Sequence, residues 1–262
     1  MTRMETLPLS NRLFKETHKT LMQGVRGKFK LPGEYRTSQN WIGLSLKNAT
    51  FVPPYHEHIV DLMSDLEQFI HNDEIHVPHL IKIAIIHYQF ETIHPFLDGN
   101  GRLGRLLIVL YLVETQLISK PALYLSDFFE RHKVDYYDRL MAVRTHNQLT
   151  EWIKFFMFGL SETAEKSINV FKGILILKEK LERKILPTFH VKRQENVQKL
   201  MAHLYKQPVI NIKSIAKLLS IQTNTANKLV LDFSNLGILR ELTGKKRNKL
   251  YIFNDYVKLF IE

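Results

Sequence analysis

With 262 residues and no cysteine, the chain can hold neither a disulfide nor a thiolate metal site, which fits a reducing cytoplasm. Its 37 Lys and Arg against 26 Asp and Glu leave a net charge of +11, a balance that favours polyanion partners such as ATP, nucleic acid or an acidic protein surface. The most apolar run, Leu106 to Val113, is eight residues long, far short of the ~20 a bilayer span needs. The first twenty residues carry Arg3, Glu5, Arg12, Lys15 and Glu16 in place of an apolar leader, so no membrane partner and no signal peptide are expected.

In chain order, Ser10 is a plausible N-cap for a helix in which Leu13, Phe14, Thr17, Leu21 and Val25 recur at near-helical spacing. Residues 24–33 read as a loop ending in the Pro32-Gly33 turn. Trp41 to Leu44 and Ala49 to Val52 flank a polar Ser45 to Asn48, which suggests a short hairpin closed by Pro53-Pro54. His56 to Asn72 is an amphipathic helix pattern through Ile59, Leu62, Met63, Leu66, Phe69 and Ile70. Pro78 suits the first turn of the next helix, with Leu80, Ile83, Ala84, His87 and Phe90 on one face, running into His94. His87 and His94 lack the i, i+4 pairing of a zinc helix. A buried helix follows from Arg102 to about Ile118; Ser126 is then a candidate cap for a helix holding Phe128 and Phe129, Tyr136-Tyr137 belongs to another, and Glu151 leads a long helix towards Pro187.

The densest chemistry is His94-Pro95-Phe96-Leu97-Asp98-Gly99-Asn100-Gly101-Arg102-Leu103-Gly104-Arg105. Gly99 and Gly101 allow a tight turn and a close backbone approach to a ligand. A glycine-rich turn feeding a helix presents free N–H groups at the positive end of a dipole, a ready anion site. Arg102 and Arg105 share one face close to that anion. Asp98 is a hard oxygen ligand placed for Mg²⁺ bridging to phosphates. His94 is the natural general base. Each feature alone is usually structural; a cluster of all of them within twelve residues points to a polyphosphate site with a base beside it.

That run resembles the signature of the Fic family, His-x-Phe-x-Asp/Glu-Gly-Asn-Gly-Arg-x-x-Arg, at every fixed position. Leu9 to Leu13, Val25-Arg26-Gly27, Pro32 to Arg36, Ser38 to Gly43, Phe51 to Pro54 and Phe90 to Ile93 resemble the bacterial members, over roughly residues 5–190. The resemblance implies transfer of AMP from ATP, with Mg²⁺, to a Tyr, Ser or Thr hydroxyl of a protein target, either another protein or the chain itself. His94 would be the base. Asp98, Gly99, Asn100, Gly101, Arg102 and Arg105 would bind the nucleotide, with Asp98 on the Mg²⁺ and Asn100 orienting the α-phosphate, and Tyr136 would line the adenine pocket. The hairpin would be a flap, its Lys47, Asn48, Ala49 and Thr50 docking the target by strand addition. Glycine rather than lysine at 101 separates the chain from kinase-like relatives; a Fic-type transfer of another nucleotide-linked group stays open. Many relatives carry an inhibitory helix of pattern Ser/Thr-x-x-x-Glu-Gly/Asn. Here the only Glu before Gly or Asn is Glu195, with Val191 four residues before it, so no inhibition in cis is expected.

The texture changes at Pro187 to Arg193, giving an expected Fic domain over 1–190 and a second domain over 191–262. Three helix patterns (Val197 to Leu204, Ile212 to Leu219, Thr223 to Leu236) precede two strand patterns around Gly244 to Asn248. They resemble a winged helix-turn-helix. DNA would then meet Thr223, Asn224 and Lys228 in the major groove and Lys245, Lys246 and Arg247 on phosphates. Such modules also dock proteins, including a second copy of the chain, so a nucleotide-responsive DNA-binding regulator stands as the alternative function. The fold expected is mainly α: a helical core with a small hairpin flap, then a winged helix-turn-helix.

Overall fold

The structure, a computed structural model, describes residues 8–24, 30–245 and 247–261. The expectations placed on Val25, Arg26, Gly27 and Lys246 lie outside the described residues. The chain divides into two units, Met1–Glu165 and Lys166–Glu262, each with its own apolar core.

In the first unit α1 (Asn11–Leu21) starts where the sequence places it, because Ser10 Oγ accepts the Leu13 N–H at 3.3 Å and satisfies one orphan donor. The hairpin is present as β1 (Ile42–Gly43) and β2 (Ala49–Phe51), antiparallel, with a 3₁₀ turn over Leu46–Asn48 between them. Five helices follow: α2 (Ile59–His71), α3 (His79–Ile93), α4 (Asn100–Glu114), α5 (Ser126–Arg131) and α6 (Lys133–His146), before α7 (Leu149–Lys180). Pro78 precedes α3 by one residue rather than lying inside its first turn. Ser126 is the first residue of α5, not its cap. Helix α4 begins at Asn100 and ends at Glu114, earlier at both ends than the apolar run suggests.

Helices α3 and α4 form the centre of this unit. Nine of the fifteen residues of α4 are buried, including Leu107 to Leu112 without interruption, and a helix that is apolar all round must be enclosed. Phe90, Phe96, Leu103, Leu107 and Phe156 are inaccessible to solvent, and burying each such side chain contributes ~2 kcal/mol. Trp152 Nε1 donates to the Ala84 carbonyl at 2.9 Å and fixes the start of α7 on α3. A rigid α3–α4 pair therefore sets the ends of the loop 94–99 between them.

The second unit contains α8 (Val191–Leu204), β3 (Val209–Asn211), α9 (Ile212–Leu219), α10 (Thr223–Asn235), β4 (Leu239–Glu241), β5 (Leu250–Phe253) and α11 (Asn254–Ile261). The antiparallel sheet has the order β3-β5-β4, with Tyr251 opposite both Ile210 and Glu241. Asn211 caps α9 through Oδ1, which accepts the Ser214 N–H at 2.9 Å. The three helices and the final hairpin follow the sequence pattern; β3 and α11 have no counterpart in it. The unit starts at Lys166, ahead of the composition change near 190, because Leu177, Leu181 and Phe189 already belong to its core.

Candidate active site

His94 ends α3. It adopts a left-handed backbone (φ 50°, ψ 60°) and its N–H closes the helix on the Phe90 carbonyl at 3.0 Å. A non-glycine residue pays about 1–2 kcal/mol for that conformation, so surrounding contacts must hold it. They come from the segment just before the flap. Arg36 Nε donates to the His94 carbonyl at 3.0 Å, the Arg36 N–H to the Pro95 carbonyl at 2.9 Å, and Asn40 Nδ2 to the Phe96 carbonyl at 3.1 Å. The same Arg36 guanidinium donates to the carbonyls of Ser38 (3.2 Å) and Pro54 (2.5 Å), on the two sides of the hairpin, and Gln39 Nε2 donates to Pro53 at 3.0 Å. Arg36 is only 2% exposed, and its charge rests among carbonyl oxygens rather than on a carboxylate. One buried side chain thus ties the base of the flap to the backbone of His94.

Burial pushes the His94 imidazole down to about pKa 4; the Arg36 and Arg144 guanidiniums add to the effect, and the Glu91 carbonyl opposes it. The ring is therefore neutral near pH 7, the form a base requires. Its buried Nδ1 has no partner in full hydrogen-bond geometry. Arg144 of α6 reaches the flap as well: its guanidinium lies 3.6 Å from the centre of the Phe51 ring and its Nε donates to Thr92 Oγ1 at 3.2 Å.

The anion side begins at Phe96. Asn100 Oδ1 accepts the Phe96 N–H at 2.9 Å and its Nδ2 donates to the Phe96 carbonyl at 2.7 Å, so a fully buried amide closes the 96–100 loop on itself. The Asn100 side chain braces the loop, and its backbone N–H is left for a ligand. Gly99 has φ +82°, a conformation that disfavours any side chain, and a β-carbon there would press on Met22 Sδ at 3.0 Å. The N–H groups of Asn100, Gly101 and Arg102 donate to no described residue, as expected at the first turn of α4. Arg102 is half-exposed, 4.0 Å from Asp98 Oδ1. Arg105 makes no hydrogen bond or ion pair with a described residue.

Asp98 Oδ1 accepts the Gly99 N–H at 2.6 Å, and the carboxylate is about half open to solvent. Among the described residues no three His, Asp or Glu side chains gather around a common metal position. A Mg²⁺ bound through one carboxylate and phosphate oxygens needs no such gathering, so the donor set here fits that mode.

Three further residues shape the site and escape a reading of the sequence. His18 is fully buried and stacks on Phe96 at 3.9 Å; its Nδ1 accepts the Gly33 N–H and its Nε2 donates to the Asp98 carbonyl, both at 2.9 Å. It holds the acid-bearing loop against the Pro32-Gly33 turn. Glu91 lies beneath α4, with Oε1 buried and unpartnered. Burial raises its carboxyl to about pKa 7, against the pull of Arg105 and Arg144. Gly104 is explained by it, since a β-carbon at that position would run into the Glu91 carboxylate and the Phe90 ring. Arg36 is the third; its only sequence signal is its place in the Pro32 to Arg36 resemblance.

Tyr136 is buried in the core, packed on Phe129 at 4.7 Å, with its hydroxyl on His87 Nε2 at 3.0 Å; Tyr137 is the exposed member of the pair. His87 is a core residue too, its Nδ1 on the Gly104 carbonyl at 3.0 Å. Of the four flap residues, Lys47 and Asn48 lie in the 3₁₀ turn and Ala49 and Thr50 in β2. The flap also exposes Trp41, Leu44 and Leu46, with Leu44 95% open. In the second unit Thr223, Asn224, Lys228, Lys245 and Arg247 are all exposed.

The segment that holds this loop is similar to known proteins: residues 8–112 match the Fic/DOC family. A protein adenylyltransferase Fic of Aedes aegypti is 28% identical over 140 residues, 53% of this chain and 25% of the relative. A probable protein adenylyltransferase of Aquifex aeolicus is 35% identical over 91 residues, 35% of this chain and 27% of the relative. The chain spans about a quarter of the length of these curated relatives. Among solved structures, a Fic family protein of Desulfovibrio desulfuricans aligns over 97% of this chain and 71% of its own, with a TM-score of 0.57 and 19% identity, and so supports the fold alone. A Fic domain containing signaling protein of Bacteroides thetaiotaomicron aligns over 64% of this chain and 65% of its own, with a TM-score of 0.51 and 22% identity. Among the described residues no helix is long and apolar enough to cross a membrane.

Proposed function

We propose that this chain is a protein adenylyltransferase that moves AMP from ATP to a hydroxyl of a protein target. The observation that carries this reading is the loop 94–105 itself. At one end it holds a neutral, buried imidazole in a braced backbone; at the other, three N–H groups that donate to no described residue and two arginines at a helix start. That is a base beside an anion cradle.

In the reaction, the phosphates of ATP lie over the start of α4, where the N–H groups of Asn100, Gly101 and Arg102 face them and Arg102 and Arg105 balance the charge. Asp98 would hold a Mg²⁺, which supplies further charge neutralisation on the phosphate oxygens when bound. The target segment lies along the flap, whose exposed edge and apolar side chains favour an extended peptide. His94 accepts the hydroxyl proton as that oxygen forms its bond to the α-phosphorus. The bond from the α-phosphorus to its bridging oxygen breaks, and pyrophosphate leaves with the electron pair. Positioning and charge neutralisation carry the rate.

The test is intact mass of the full chain, alone and with a cell lysate, after incubation with ATP and Mg²⁺, beside His94→Ala. An added AMP on the chain or on a lysate protein that disappears with His94→Ala supports the reading. ATP binding with no adduct on any protein in either sample would overturn AMP transfer.

A further inference from the structure

The charge of this protein is divided very unevenly. The second unit, 166–262, holds 19 Lys and Arg against seven Asp and Glu, a balance of +12; the first holds 18 against 19, a balance of −1. The whole positive excess therefore lies outside the unit that contains the ATP-type site. Within the second unit the carboxylates are largely taken. Asp232 pairs with Arg193 at 2.5 Å, Glu241 with Lys249 at 2.7 Å and Glu195 with Lys199 at 2.6 Å. Lys213, Lys228, Arg240, Lys245 and Arg247 are exposed and form no ion pair with a described residue.

Lys228 lies on the second helix of a helix-turn-helix, and Lys245 and Arg247 lie on the hairpin that follows it. Helix α9 is capped by Ser220 in a left-handed conformation, and three residues later α10 begins, the short turn of a helix-turn-helix. Helix α10 buries Ala226, Leu229, Val230 and Phe233. Its opposite stripe, Asn224, Asn227, Lys228 and Leu231, is exposed at i, i+3, i+4 and i+7. The polar members of that stripe hydrogen-bond to no described residue through their side chains. Beyond α10, β4 and β5 pair as a hairpin whose connecting segment, 242–249, carries Lys245 and Arg247. Helix, strand, helix, helix and hairpin, closed by a β3-β5-β4 sheet, is the layout of a winged helix-turn-helix.

We infer that the second unit binds duplex DNA, with the exposed stripe of α10 in the major groove and the β4–β5 connection on the flanking phosphates. The chemistry suits that ligand. Amides read the paired donor and acceptor of adenine, lysine reads guanine or phosphate, and an exposed leucine can meet the thymine methyl. An apolar protein-docking face would need no excess of cations, and the exposed stripe of this helix is amide-rich rather than apolar. The inference does not rest on the transferase reading, since none of its residues belongs to the His94 site.

The experiment is fluorescence anisotropy of the full chain with a labelled mixed-sequence duplex of about 30 base pairs, started near 50 mM salt and titrated upward. The expected result is binding whose log affinity falls linearly with log salt. Lys245→Ala with Arg247→Ala should weaken it about tenfold or more and lower the slope by about 2, one unit for each phosphate left without its cation. Asn224→Ala with Asn227→Ala should leave the slope intact and erase preference among duplexes enriched by selection. His94→Ala should bind DNA like the parent, so a failed transfer reaction and a failed DNA interaction are told apart. No binding at low salt, equal binding of heparin with both double variants unchanged, or tighter binding of single-stranded RNA of the same length would each overturn the inference.

Discussion

The two ends of the 94–105 loop are built on opposite plans. At the His94 end, backbone carbonyls of residues 94 and 96 are held by side chains from Arg36 and Asn40, and the imidazole is enclosed. At the Gly99 end, backbone N–H groups donate to no described residue, Arg105 makes no hydrogen bond or ion pair with a described residue, and Arg102 is half-exposed. The base needs one orientation, so the fold fixes it with buried hydrogen bonds whose loss would be costly. The anion cradle must change partners with each turnover, so its donors stay uncommitted until a ligand arrives. Asn100 marks the border: its side chain belongs to the braced half and its N–H to the open half.

The comparison breaks most readily at Arg36. Arg36→Ala should strand the carbonyls of His94, Ser38 and Pro54 in a buried place, at a cost of about 3 kcal/mol or more. Urea denaturation should show that loss as a lower midpoint with an unchanged slope. Retention of parent stability would mean that the flap and His94 are held by something else. Gly104→Ala comes next. Its β-carbon would meet the Glu91 carboxylate and the Phe90 ring, and overpacking of this kind costs about 1–3 kcal/mol. A double-mutant cycle with Glu91→Ala should recover part of that loss, and strict additivity of the two changes would refute the contact.

On the open side, Arg105→Ala should barely change stability, because the guanidinium has no fixed partner among the described residues. It should weaken ATP binding by about tenfold, the scale of one charge-assisted contact. Calorimetric titration with ATP reads the affinity directly. A variant that loses stability instead would place Arg105 in the braced half of the loop.

Much of this site can be read from the sequence because its parts are close together in the chain. The glycine turn, the helix start and the arginine pair lie within twelve residues, and each has a local physical meaning. The braces cannot be read in that way. His18 reaches Asp98 across 80 residues and Arg36 reaches His94 across 58, and neither distance leaves a periodic trace. Which of Tyr136 and Tyr137 is buried is hidden for a related reason: two adjacent tyrosines on a helix face different sides, and only packing on Phe129 and His87 decides between them. In the second unit the helices are legible from apolar spacing. The three-residue β3 is not, because a strand that short has no period to detect. The unit's early start at Lys166 is hidden because it falls within the unbroken helical pattern of α7.

The smallest expected effect is also the sharpest check on the braced half. An ordinary histidine with a pKa of about 6.5 would be only about one-tenth neutral at pH 5.5. His94 is pushed down to about 4 by burial and by the neighbouring guanidiniums, so at that pH it remains almost wholly neutral. Transfer rates measured at saturating ATP should therefore change little from pH 8 to pH 5.5 and fall only as pH approaches 4. The sign of the stability change runs the same way. Below about pH 6.5 the unfolded chain takes up a proton that folded His94 refuses, so this group's contribution is complete above that pH and is lost progressively towards 4. A thermal melt at each pH separates that loss from a change in rate. Arg144→Gln removes one of the two cations and should move the acid limb upward by a fraction of a unit while leaving the Arg36 brace in place. A limb near 6.5 in the parent protein would mean that the imidazole is solvated during turnover, and that the bracing of His94 serves the flap rather than the base.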